Sequence, residues 1–206
     1  MRAGTRSTEA FGLKMPRHAL AAIALLLVSL RVFGATDDGG YNEYTIRPSD
    51  IPVDAPRFED YPAEVYSGSN AAPDLRSDPT SRMFRTQLKR WAKRKPNFAG
   101  RFILATWGCG LDCTQIAIID ASTGKVYHPQ GVKYNVAVNV DNTLLEPGDR
   151  WHASGAIWYR TDSHLLVLIG MPEERVRDRG ISYYVWDGAA LKRIRFIPKA
   201  WYPEDK

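Results

Sequence analysis

Apolar and polar positions alternate in three different ways along this chain. From Phe102 onward, apolar residues fall into short runs with the two-residue period of β-strands. Phe102–Trp107 and Gln115–Asp120 are apolar on both faces, as in central strands covered from two sides. The turn "DASTGKVY" (120–127) opens a further strand, and Asn135–Val140 alternates weakly. Ala156–Tyr159 and Leu165–Gly170 flank "RTDSH", and Ile181–Trp186 and Leu191–Ile197 flank Asp187-Gly188, both hairpin signals. Between 77 and 96 the period is helical. Ser77 or Asp78 caps, Pro79 suits the first turn, and Phe84, Leu88 and Trp91 form one stripe that ends at Pro96. The pattern predicts a mainly β (α+β) fold. It consists of an antiparallel meander of about eight strands, as sandwich, curved sheet or open barrel, with one amphipathic helix packed on it. The hairpin motifs are similar to propeller blades, but a closed propeller needs roughly four four-stranded blades.

Residues 36–80 show neither period. Pro48, Pro52, Pro56, Pro62, Pro73 and Pro79 forbid a helix or central strand. Tyr41, Tyr44, Ile46, Phe58, Tyr61 and Tyr66 are more aromatic and apolar content than a free linker carries. This segment is expected to be an extended arm laid on the domain 81–206, with "SGSNAAP" (67–73) as its looser part.

The first 35 residues read as an address. Arg2, Arg6, Lys14 and Arg17 precede an apolar run, Ala19–Leu30, with the length of a signal-peptide core and too short to span a bilayer. Cleavage is expected after Gly34 or Ala35, and Met15 is an alternative start. A buried core helix is the competing interpretation of the run. The remainder is expected to be periplasmic or secreted, with no stable membrane span.

Charge changes the picture only when divided by region. Of 28 basic and 23 acidic residues, five and one lie in 1–35, leaving a formal balance of +1. From Asp37 to Asp78 ten acids face Arg47, Arg57 and Arg76; from Pro79 on, 20 basic residues face 12 acids. An acidic front can neutralise a basic body, so nucleic acid is not implied as a partner. The helix carries Arg82, Arg85, Lys89, Arg90, Lys93, Arg94 and Lys95 with no acid between. That face is either solvated or turned to an anion, such as the acidic arm.

Cys109 and Cys113 are the only cysteines. In an oxidising compartment, and between antiparallel strands, they are expected to bond. So small a ring contributes only about 2 kcal/mol, so its effect is to shape the loop. Gly108 and Gly110 permit positive φ, and Leu111 and Asp112 form the tip. The predicted partner-binding set is Trp107, Gly108, Gly110, Leu111 and Asp112. A thioredoxin-like site has two residues between its cysteines, and no His or further Cys lies nearby to complete a zinc site.

"NFAGRF" (97–102), "WGCGLDC" (107–113) and "IIDASTGKVY" (118–127) resemble a set of uncharacterised exported bacterial proteins. The arrangement is also loosely similar to the inhibitor of vertebrate lysozyme family. That family has a helix before a sheet and a disulfide-closed loop, Cys-Lys-Pro-His-Asp-Cys, that enters the lysozyme active site. Here Cys109 and Asp112-Cys113 match, the loop is one residue shorter, and the histidine is absent. The resemblance implies a rigid loop offered to a partner.

Catalytic chemistry has little to stand on. "DRWHASG" (149–155) places Asp149, His152 and Ser154 together, but triads assemble in space rather than in sequence. No Gly-x-Ser-x-Gly elbow or phosphate-cradling loop is present. His128, His152 and His164 match no metal motif. Asp162 and His164 fall in a hairpin turn. Glu173, Glu174 and Asp178 interleave with Arg175, Arg177 and Arg179, as in a solvated loop, and Trp151, Trp158, Trp186 and Trp201 suit a core or a groove. No catalytic residue, metal or cofactor is assigned. The leading expectation is a non-enzymatic envelope binding protein, an inhibitor or immunity-type antagonist. The alternatives are a small hydrolase using Asp149 and His152, and an envelope-associated structural module whose basic helix touches an anionic surface.

Overall fold

A computed structural model describes residues 43–145 and 157–201. The expected leader and the stretch holding Asp149, Trp151, His152 and Ser154 lie outside these residues. Eight strands form one open, antiparallel sheet: β1 (Phe102–Gly110), β2 (Cys113–Asp120), β3 (Val126–Tyr127), β4 (Tyr134–Val136), β5 (Ile157–Tyr159), β6 (Leu165–Pro172), β7 (Gly180–Trp186) and β8 (Leu191–Pro198). The order is β1-β2-β4-β6-β7-β8, with β3 beside β2 and β5 beside β6. The largely sequential order is that of a meander, so the expected fold class holds. Of the three forms left open, the sheet is neither closed nor split in two. Short β4 bridges two halves: Cys113–Gln115 pair with it on one side and Met171–Pro172 on the other. The weak alternation of 135–140 yields only this short strand.

The sheet curls, because its inner face forms one core from strands far apart in the order. Phe102, Leu104, Ile116 and Ile118 of the first half pack with Leu166, Leu168, Tyr184 and Trp186 of the second. The rings of Phe102 and Trp186 lie edge to face with centroids 5.3 Å apart. The two outer faces are covered differently. Leu88 and Ala92 of the helical segment seal Ile103, Ala105, Ala117 and Ile119. Ile46, Phe58 and Tyr61 of the arm seal Val167, Ile169, Ile181 and Tyr183. This double coverage explains why these strands are apolar on both faces.

The helix is broken where a single one was expected. α1 (Pro79–Met83) and α2 (Arg85–Trp91) meet at Phe84, whose φ of −94° and ψ of 20° leave the helical region. Phe84 packs on Trp107 with ring centroids 5.1 Å apart, a contact that sequence periodicity does not report. Asp78, rather than Ser77, caps α1 by accepting from the Ser81 N–H.

The arm lies along the body by paired backbone bonds. Ile46 donates to Asn139 and accepts from Asp141, Ala63 donates to Asp162, and His164 donates to Tyr61. Its acids meet Lys199 (Asp50), Arg195 (Asp54) and Arg160 (Glu59). Among the described residues, the acids of the arm therefore pair with β8, the residue after it and the β5–β6 turn, and none of them pairs with the basic helix. The segment 67–73 is clamped where a looser stretch was expected. Ala71 donates to Ala121, and Asn70 Nδ2 donates to the carbonyls of Ala92 and Arg94 beyond the end of α2. Asparagine there supplies donors to carbonyls that the helix leaves unpaired.

Candidate functional site

The β1–β2 hairpin runs further than its apolar residues suggest. Strand pairing continues through Gly108 and Gly110, so only Leu111 and Asp112 form the turn. The register shifts between Gly108 and Gly110, which leaves Cys109 as a bulged extra residue on β1. Cys109 is bonded to Cys113, with a Cα–Cα distance of 5.2 Å. The positive φ values fall at Gly110 (142°) and Asp112 (53°), and not at Gly108. Glycine at 110 meets that demand without strain, and aspartate is among the side chains that tolerate the left-handed region best.

The tip is exposed but braced from below. Residues 108–112 are all exposed, and Leu111 is 93% exposed. The Asp112 carbonyl accepts from the Ala137 N–H at 2.7 Å, just beyond β4. Trp107 is half-buried against Phe84, and the Trp91 indole N–H donates to the Thr106 carbonyl. Of the five residues assigned to partner contact, Gly108, Gly110, Leu111 and Asp112 thus share an open tip. Trp107 sits at its base, held by the helix.

The remaining chemistry-bearing residues have structural roles or different neighbours. Asp162 takes both arms of Arg160 at 2.9 and 2.7 Å within the β5–β6 turn. Trp186 is core and Trp158 donates to the Leu144 carbonyl, so these two form no groove. Arg82, Arg85, Lys89, Arg90, Lys93, Arg94 and Lys95 are exposed, and among the described residues none makes an ion pair. Arg94 lies over the Trp91 ring. No group of three or more His, Cys, Asp or Glu suited to a metal occurs among the described residues.

Two further clusters join residues distant in the sequence. In the first, His128 Nε2 lies 3.0 Å from the Ser81 hydroxyl and 3.3 Å from the Asp78 carboxylate. The residue types are those of a hydrolytic triad, but the wiring is not. A triad sets serine and aspartate on opposite ring nitrogens. Here both face Nε2, His128 Nδ1 is buried with no hydrogen-bond partner, and Ser81 is buried. Burial lowers the His128 pKa below its ordinary value, outweighing the Asp78 carboxylate, and nearby Lys133 lowers it further. The cluster is a helix cap joined to the β3–β4 connection.

The second cluster corrects the solvated-loop expectation at Asp178 and Arg179, while Glu174 and Arg177 are exposed as expected. Asp178 and Arg179 are buried. Arg193 Nη1 and Arg175 Nε each approach a different oxygen of Asp178 at 2.7 Å. Burial pushes the Asp178 pKa up, but hydrogen bonding and charge from Arg193 and Arg175 more than reverse this, and it lies below the usual carboxylate value. Among the described residues Arg179 has no carboxylate partner. It donates to the carbonyls of Tyr44, Lys199 and Ala200, tying the arm to the chain beyond β8. The "EERVRDR" run could have signalled a charge cluster, but nothing in it announces Arg193.

No protein-family model, curated protein or solved structure matches this chain.

Proposed function

We propose that the protein is an exported binding protein of the cell envelope. It presents the Leu111–Asp112 tip to a protein partner, in the manner of an inhibitor or immunity-type antagonist. The observation that carries this reading is an exposed apolar side chain on a two-residue turn closed by a disulfide and braced by the Asp112–Ala137 hydrogen bond. Ordering a flexible loop on binding costs roughly 0.5–1.5 kcal/mol per immobilised side chain, and a tip ordered on folding avoids much of that cost. Leu111 supplies an apolar anchor and Asp112 a charge beside it.

The test uses the purified protein as bait in an envelope extract. Leu111→Ala combined with Asp112→Ala should weaken capture of the partner by at least about 1 kcal/mol, while thermal stability falls only by the small cost of alanine in the left-handed conformation at 112. Equal capture by the double variant, or a large loss of its stability, defeats the reading.

A further inference from the structure

The inner face of the curled sheet is filled by the core only as far as Tyr184 and Leu191. Beyond them lies a cavity of about 580 Å³, walled by Phe196 and the 130–131 turn and overhung by Arg175 and Arg177. Its volume lies within the range of small-ligand sites. We propose that this cavity binds a small organic oxyanion, a carboxylate or phosphate ester with an apolar portion, held by Arg177 and Arg193. The site is separate from the hairpin tip and does not depend on the function proposed for it.

Charge is the first argument. Three guanidinium groups, Arg175, Arg177 and Arg193, line the cavity against the one carboxylate of Asp178. Glu173, 3.4 Å from Arg175, still leaves a cationic surplus. Arg175 and Arg193 already face Asp178, so the third guanidinium, Arg177, leaves positive charge at the mouth that attracts an anion.

Preorganisation is the second. Each oxygen of buried Asp178 holds one guanidinium, so Arg175 and Arg193 are fixed as a pair. Arg193 also lies over the Phe196 ring, 4.9 Å from its centroid. A guanidinium offers five N–H donors in a planar fork that matches carboxylate and phosphate oxygens. Arg175 donates to Glu173 and to the Gly131 carbonyl, and its Nε stands 2.7 Å from Asp178. Among the described residues Arg193 contacts Asp178 and the Tyr184 hydroxyl and keeps further donors. Arg177 is 83% exposed and its one approach to Asp178 is a long 4.0 Å. Phe196, Tyr184 and Leu191 then offer apolar wall to the rest of the ligand.

Backbone strain is the third. Glu173 and Glu174 are consecutive non-glycine residues with φ of 50° and 58°. Such strain concentrates where a loop is held for a purpose. Here it returns the chain so that 175–178 lie over the cavity.

The test titrates the purified protein in 150 mM sodium chloride with phenyl phosphate, with benzoate and with neutral benzyl alcohol. Arginine side-chain N–H and Tyr184 ring resonances are followed by NMR. Saturable shifts with phenyl phosphate, with benzoate, or with both support the site, and the stronger probe identifies the preferred oxyanion. Arg177→Ala, at an exposed position that cannot unfold the core, should weaken binding on the order of tenfold, as loss of a charge-assisted hydrogen bond does. The proposal is overturned if neither anion gives saturable shifts, if benzyl alcohol binds as well as the anions, or if Arg177→Ala leaves affinity unchanged.

Discussion

The main-chain carbonyl of Asp112 accepts a 2.7 Å hydrogen bond from the amide of Ala137, across the end of the sheet. The hairpin tip is therefore held by β4 as well as by its own disulfide. Removing the Cys109–Cys113 bond should thus leave the fold standing. The ring is small and contributes about 2 kcal/mol, a minority of ordinary domain stability. We expect the Cys109→Ser, Cys113→Ser double variant to keep its β-sheet circular dichroism and to lose no more than roughly that amount in urea unfolding. Collapse of the sheet signal in the double variant would show that the bond holds more than the tip.

Two glycines should respond oppositely to alanine. At Gly124, φ is +77° and a Cβ would stand 1.9 Å from the Ala72 carbonyl oxygen of the arm. At Gly108 a Cβ meets nothing within 4 Å and φ is not positive. Gly124→Ala should cost roughly 2–4 kcal/mol, by strain and by lifting the arm, whereas Gly108→Ala should stay within about 0.5 kcal/mol. Chemical denaturation of both variants checks the contrast. Similar losses in the two would mean that the arm yields at no cost.

Stability should depend on pH through His128. Its folded pKa lies below the ordinary 6.5, chiefly because it is buried. Below pH 6.5 the unfolded chain binds a proton that the native site resists, so the native state loses stability as pH falls from there toward the folded pKa. Above 6.5 the contribution is complete. Asp78, Asp120 and Asp178 all lie below the usual carboxylate value and lose their contributions only at more acid pH. Unfolding free energy should therefore rise between pH 5.5 and 7.5, and His128→Gln should flatten that rise. An unchanged slope in the variant would remove His128 from the account.

The basic helix and the acidic arm show why composition misleads about pairing. Both charge runs are plain in the sequence, and their mutual neutralisation is one of the two readings it allows. The arm instead follows the outer face of β6 and β7, because Ile46, Phe58 and Tyr61 must cover Val167, Ile169 and Ile181 there. Burial sets its path, and Asp50 and Asp54 then meet whatever cations lie beside it, Lys199 and Arg195.

Local signals along the chain by themselves determined most of the strands, the Pro79 start of the helical segment, the aromatic arm and the paired cysteines. Each depends on neighbours in the chain: alternation, turn residues, a cap, or two thiols four positions apart. Tertiary structure alone decided what depends on partners distant in sequence. The break at Phe84 answers to Trp107, and the brace under Asp112 comes from Ala137. Ser81 meets His128 across 47 positions. Asp178 becomes a buried carboxylate only because β8 delivers Arg193 beside it. A charged loop has the same local pattern whether water or a second strand faces it, so its burial cannot be read until the sheet has curled.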